Sequence, residues 1–183
     1  MKNVQHYRDM HNNTLDFGTG TGHVTQILIL LYHLNADKIL DYGCGKGVLA
    51  TSVENYFNID VDRFDPAVKE FSRPPSKKYD ALLNTDVLEH IPEEELDCFI
   101  NKLFDLSQCS ILIPHLELSG VFLTDGSNVH CTIKTPEEWK EVFERKWQYV
   151  YELPHPNKQH ALFLCSKDSL NIDKLTAVLE REI

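Results

Sequence analysis

Residues 40–47 read Leu-Asp-Tyr-Gly-Cys-Gly-Lys-Gly, and this run constrains the fold more than any other. Gly43, Gly45 and Gly47 fall where an apolar strand pattern (KILDYG) hands over to a helical one (VLATSVENYF). Glycines at such a handover let the backbone turn tightly and approach a ligand closely. A dinucleotide fingerprint needs Gly or Ala at the next position, where this chain has Val48. A phosphate loop needs Ser or Thr after the lysine, and Lys46 is followed by Gly47. Asp65 lies eighteen residues beyond Gly47, at the end of the next strand pattern. A carboxylate there can accept hydrogen bonds from two vicinal ribose hydroxyls, so turn and acid together describe a nucleoside-type ligand across the first two strand ends. A second GxGxG run, Gly18-Thr-Gly20-Thr-Gly22, has Asp41 nineteen residues beyond it. No strand pattern precedes it, so it is expected to be either a flexible lead-in or a lid that folds over the ligand, with Tyr7 or Phe17 against it.

The remaining pattern alternates strands and helices. A helix is expected through Val24, Ile27, Leu28, Leu31 and Leu34, then strands over 38–43 and 58–65. A short helix over 67–71 follows, then a strand over 79–86 and a helix opened by Pro92 and Glu93-Glu94-Glu95. A strand over 110–116 comes next. Thr135 and Glu138 form a capping-box signature for a helix reaching about Trp147. Two strands, 148–153 and 160–166, and a terminal helix complete the chain. Alternation of this kind implies an α/β fold with a mostly parallel sheet, and the short turn before the last strand makes that strand antiparallel. The expected division is a helical lid or lead-in over 1–36, a ligand-binding core over 37–166 and a C-terminal helix of the same domain over 167–183.

Composition narrows the function class. Eighteen basic residues against 28 acidic ones leave a formal net charge of −10, which argues against a protein built to grip nucleic acid. The apolar run over 27–32 is too short to span a bilayer, and the first residues lack a signal-peptide core, so a cytoplasmic protein is expected. The five cysteines are scattered with no CxxC pair, so neither a disulfide framework nor a structural zinc site is indicated.

The pieces KILDYGCGKG, RFDPAV and YDALLNTDVLEHIPEEEL resemble the class I S-adenosylmethionine-dependent methyltransferases, over about residues 37–166. More narrowly, the chain looks like small bacterial and phage methyltransferase-like proteins that share LDYGCGKG, FDP, TDVLEHIPE and a Gly-x-Asn-x-His segment, here residues 126–130. The resemblance implies a Rossmann-like sheet and S-adenosylmethionine as cofactor. It implies cofactor contacts at Asp41, Gly43, Cys44, Gly45, Gly47, Asp65, Pro66, Asn84, Thr85 and Asp86. One departure stands out. Only seven residues, SRPPSKK, separate the 67–71 helix from the next strand, so the usual third strand is expected to be missing or reduced. The acid that normally follows that strand, beside the adenine amino group, has no equivalent.

Methyl transfer from a sulfonium is an in-line displacement, in which the protein chiefly aligns the reactants and a base takes the acceptor's proton. His90 and His130 are the catalytic candidates, with Asn128 and His115 as substrate-binding candidates and Glu89 and Glu117 beside them. His90 could instead simply hold the strand–helix turn, and Asn128 could belong to a solvent-exposed turn. Asp86-x-x-Glu89-His90 offers donors of the kind a divalent cation uses, as the ubiquinone-pathway relatives suggest, but no metal is expected. The expected activity is methylation of an oxygen or nitrogen on a small molecule. The alternatives are a non-catalytic binder of S-adenosylmethionine or S-adenosylhomocysteine, and a nucleic-acid methyltransferase working through Lys77-Lys78 or Arg145-Lys146.

Overall fold

A computed structural model describes residues 7–8, 20–123 and 125–182. Phe17 and the first glycine of the second GxGxG run lie outside the described residues. Six strands form one sheet: β1 Ile39–Tyr42, β2 Val61–Phe64, β3 Tyr79–Thr85, β4 Ser107–Ile113, β5 Tyr149–Leu153 and β6 Leu162–Ser166. Their order across the sheet is β2-β1-β3-β4-β6-β5. The first four run parallel, with Ile39 opposite both Val61 and Ala81, and Tyr79 opposite Ser107. β6 runs antiparallel to β4 and to β5. The order and directions are those expected of a Rossmann-like sheet with its third strand absent. Residues 65–78 hold only a short turn, Lys69–Phe71, and β2 is the edge. Asp62 on that edge pairs with Lys77 and accepts from the Tyr79 hydroxyl, so charge guards the exposed strand.

The sheet is covered on both faces, and side-chain alternation sorts the two cores. Leu40, Leu82, Leu112 and Phe163 point to one face. There they meet α3 (Glu93–Leu106) through Leu96, Ile100 and Leu103, and α4 (Pro136–Glu144) through Trp139 and Phe143. Ile39, Leu83, Ile111 and Leu164 point to the other face. They meet α1 (Val24–Leu34), α2 (Val48–Phe57) and α5 (Asp173–Leu179) through Ile27, Leu30, Leu49, Val53 and Leu175. The α1 stretch of the lead-in is therefore part of a core layer, held by its apolar stripe.

Three element boundaries differ from the sequence reading, each for a local reason. Residues 67–71 do not form a full helical segment. Asp65 takes the Ala67 N–H on its side chain, and its own N–H bonds the Phe71 carbonyl, closing a compact loop instead. β4 begins at Ser107, directly after α3, and stops before Pro114, which has no N–H for the ladder. α4 ends at Glu144, because the Lys146 and Trp147 N–H groups both fold back onto the Phe143 carbonyl. Its start follows the capping-box reading: the Glu138 N–H donates to Thr135 Oγ1, and the Thr135 N–H donates to Glu138.

Candidate functional site

A cavity of about 630 Å³ opens outside the carboxyl ends of β1 and β3, the position at which parallel α/β sheets bind ligands. The glycine turn forms its floor. Gly43 has φ +89°, and a Cβ there would meet Val87 Cγ2 at 2.4 Å, so turn and β3 exit close to a distance only glycine permits. The Gly43 and Cys44 N–H groups both donate to the Phe64 carbonyl at 2.7 and 3.2 Å. The Gly45 N–H donates to Asp65 Oδ2 at 3.0 Å, and the Ala67 N–H to Oδ1 at 2.8 Å. Asp65 thus clasps the turn while lining the cavity.

Asp41 is buried at 1% exposure, lines the cavity and has an Oδ2 with no hydrogen-bond partner. Burial pushes its carboxyl up to about 7; nearby Asp65 adds to this and Arg63 opposes it. Cys44, Pro66, Thr85 and Asp86 line the same cavity. Burial pushes the Cys44 thiol far up, so it is an apolar wall rather than a nucleophile.

Three sequence candidates have other work. Gly47 is the N-cap of α2 at φ +73°, and a Cβ there would strike the Arg63 guanidinium at 2.8 Å. That guanidinium is held by paired hydrogen bonds to Glu54. Asn84 is fully buried, donates to the Tyr42 carbonyl at 2.6 Å and is not part of the cavity wall. Asn128 faces its own loop, where it accepts the Ser119 and His130 N–H groups and donates to the Ser119 carbonyl. It pins the segment that carries Val129 and His130 into the wall.

His90, His115 and His130 do line the cavity. His90 Nδ1 lies 2.9 Å from the Val129 carbonyl and His130 Nδ1 lies 2.7 Å from the Glu117 carbonyl. A carbonyl can only accept, so each Nδ1 carries the proton and each Nε2 is left basic. Burial lowers the His90 imidazole to about 4, opposed by its bond to Val129. Glu89 is wholly buried beside them, and neither of its oxygens has a hydrogen-bond partner. Burial, with the Asp86 charge, pushes its carboxyl well above the usual range. Tyr7 stands edge-on to His90 with ring centroids 5.2 Å apart.

The histidine row extends beyond what the sequence suggested. His130 touches His115, His115 touches His160, and His160 touches His23, with ring centroids 4.6–4.8 Å apart. His23 and His160 grip opposite oxygens of Asp86, each at 3.0 Å. Burial works against that charge, but the two imidazoles outweigh it and hold the Asp86 carboxyl well below the usual range. Among the described residues, two groups bring donor atoms within 4.8 Å of one another: Glu89–His90–His130 and His23–Asp86–His160. Sequence reasoning passed over His23 and His160. An antiparallel last strand must begin at the carboxyl edge of the parallel ones, and that topology was the available signal for His160. Gly20, in the second GxGxG run, also reaches the wall beside Thr85. The lysines and arginine considered for nucleic acid lie elsewhere: Lys77 pairs with Asp62 and Arg145 with Asp97. No helix among the described residues is long and apolar enough to cross a membrane.

Residues 25–171 match a family described as a methyltransferase domain. No curated protein sequence matches the chain. Among solved structures, the fold is similar to that of the mitomycin 7-O-methyltransferase, with TM-score 0.63 and 12% identity over 88% of this chain and 60% of that one. The chain therefore spans about 60% of the length of that enzyme. It is similar to the Synechocystis PCC 6803 magnesium protoporphyrin IX methyltransferase solved with bound S-adenosylhomocysteine (TM-score 0.63, 17% identity, 91% and 100% covered). It is also similar to the Burkholderia thailandensis 1,6-didemethyltoxoflavin-N1-methyltransferase (TM-score 0.65, 14% identity, 90% and 87% covered). At these identities the likeness is one of fold.

Proposed function

Since the chain belongs to the methyltransferase domain family, we propose that it moves a methyl group from S-adenosylmethionine to an oxygen or nitrogen of a small-molecule acceptor. The observation that carries this reading is the glycine turn clasped by Asp65, with the unpartnered oxygen of Asp41 buried beside it. A cationic cofactor fits that donor set: Asp41 offers a desolvated carboxylate for an ammonium, and Asp65 offers acceptors for a ribose diol. Asp41, Gly43, Cys44, Gly45, Asp65, Pro66 and Thr85 would hold it. When bound, it supplies an already activated methyl group.

The residues then have two tasks. The first is alignment, which supplies on the order of 7–11 kcal/mol when the reacting groups are held in line. The Asn128-pinned loop that carries Val129 and His130, together with His115, would frame the acceptor opposite the glycine turn. The second is removal of the acceptor's proton. His90 is suited to it, because its depressed basicity keeps it neutral at physiological pH and its Nδ1–H is committed to Val129. His130, whose Nδ1 is committed to the Glu117 carbonyl in the same way, is the second candidate. The partner implied is a small molecule. The domain, with α1 in a core layer and Tyr7 and Gly20 at the cavity wall, works in this reading as one unit.

Calorimetry with S-adenosylmethionine and S-adenosylhomocysteine tests the cofactor half. Saturable binding is expected, with Asp65→Asn weaker by tenfold or more. A wild-type protein that binds neither compound would end this reading. Radiolabelled methyl transfer across phenol, carboxylate and amine acceptors tests the catalytic half. Binding without turnover on every class would favour the non-catalytic binder.

A further inference from the structure

We infer that His23, Asp86 and His160 form a binding site for a single divalent transition-metal ion of the zinc type, with His155 as the group that orients His23. The inference does not depend on the methyl-transfer reading. It begins from geometry. His23 Nε2 stands 3.0 Å from Asp86 Oδ2, and His160 Nε2 stands 3.0 Å from Asp86 Oδ1. Donors bound to one tetrahedral ion at 2.0–2.1 Å lie about 3.3 Å apart; both imidazole–carboxylate distances are already close to that, and the three donor atoms all lie within 4.8 Å of one another. Two imidazoles and one carboxylate match the ligand chemistry of zinc-type ions and leave coordination positions for water or an incoming ligand.

The three donors come from three separate parts of the chain: the turn before α1, the exit of β3 and the approach to β6. They are held in place without an ion. Asp86 sits at φ +54°, a left-handed conformation that is uncommon outside glycine and aims its carboxylate between the two rings. His160 is fixed by a β-bridge to His115. Backbone strain of this kind persists where the surroundings over-determine it.

His155 stands behind His23, on the side away from Asp86. Its Nε2 lies 3.2 Å from His23 Nδ1, and its own Nδ1 faces both the Asn157 N–H, at 3.2 Å, and the Asn157 carbonyl, at 3.0 Å. It can therefore serve either tautomer of His23. Without an ion, Asn157 N–H donates to His155, His155 donates to His23, and His23 donates to Asp86. With an ion on His23 Nε2, both rings change tautomer: the Nε2 proton of His23 leaves to water, the Nε2 proton of His155 passes to His23 Nδ1, and water supplies a proton to His155 Nδ1, which donates to the Asn157 carbonyl. No net proton is gained or lost along this branch. Metal-bound histidines usually have their other N–H anchored in this way.

The test uses the untagged chain at pH 7.5, titrated with Zn²⁺ by calorimetry and with Co²⁺ by visible absorption. One equivalent is expected to bind, with ligand-field bands and no near-ultraviolet thiolate transition. His23→Gln and His160→Gln should each weaken binding at least tenfold, and His155→Gln should weaken it 10–100-fold. Long-range imidazole ¹H–¹⁵N spectra of the wild type should show Zn²⁺ moving the Nε2 signals of His23 and His160, which decides the matter even if a variant fails to fold. The proposal is overturned by the absence of saturable binding or by a thiolate band. It is equally overturned if His90→Gln and His130→Gln abolish binding while His23→Gln and His160→Gln do not.

Discussion

Replacing Gly43 by alanine separates two penalties that the structure superimposes at one atom. The backbone there has φ +89°, which an L-residue adopts at a cost of roughly 1–2 kcal/mol. The new Cβ would also sit 2.4 Å from Val87 Cγ2, an overlap that neither the strand exit nor the turn can absorb freely. Overpacking of this kind costs typically 1–3 kcal/mol. Gly43→Ala should therefore destabilise the protein by about 2–5 kcal/mol. Val87→Ala alone removes two methyl-sized groups from a half-buried side chain and should cost about 1 kcal/mol. In the double variant the overlap disappears and the backbone strain stays, so its cost should fall about 1–3 kcal/mol short of the two single costs added together. Urea unfolding followed by fluorescence is a suitable assay, because Trp139 and Trp147 are both fully buried and report loss of the core. Additive costs, to within about 0.5 kcal/mol, would refute the claim that Val87 is what the glycine avoids.

Other outcomes follow from the same structure. Asp41 titrates near 7 when folded against an ordinary 3.8, so the folded state holds its proton more tightly, and stability falls as pH rises from about 4 to about 7. Asp41→Asn should remove that slope, worth on the order of 2–3 kcal/mol between pH 5 and pH 8, in urea melts at those two pH values; equal slopes in both proteins would count against a buried, desolvated carboxyl. His90→Gln should lower kcat by about 10²–10⁴ with cofactor affinity unchanged, and the wild-type rate should show no acid limb from this histidine above about pH 5; an undiminished kcat would remove His90 as the base. Thr135→Ala breaks the capping box and should cost about 0.5–2 kcal/mol in a thermal or urea melt, with no change in ligand binding.

What could be read before folding was local. β1, α2 and the turn between them rest on apolar runs and on glycines whose φ is positive, and both are properties of a few adjacent residues. Asp65 could be placed because strand length and turn length set where the next acidic side chain arrives. The missing third strand could be counted from seven residues of loop. Gly47, Asn84 and Asn128 drew the eye for the same local reasons, yet each answers to a distant partner: Arg63 across the turn, the Tyr42 carbonyl across the sheet, and Ser119 across a loop. Partnerships of that kind leave no trace in spacing.

The amino-acid order by itself determined the α/β alternation, the parallel sheet with its reversed last strand, and the glycine turn, because side-chain period and glycine conformation act within a few residues. Only the tertiary structure decided which polar groups share the cavity. His23 and His160 are separated by most of the chain, and they meet at Asp86 because β6 runs backward against β4 and the turn before α1 lies against the exit of β3. Burial then sets their chemistry. The same carboxylate type is held low at Asp86 by two imidazoles and pushed high at Glu89 by burial and the nearby Asp86 charge, a difference that depends on three-dimensional surroundings and not on residue identity.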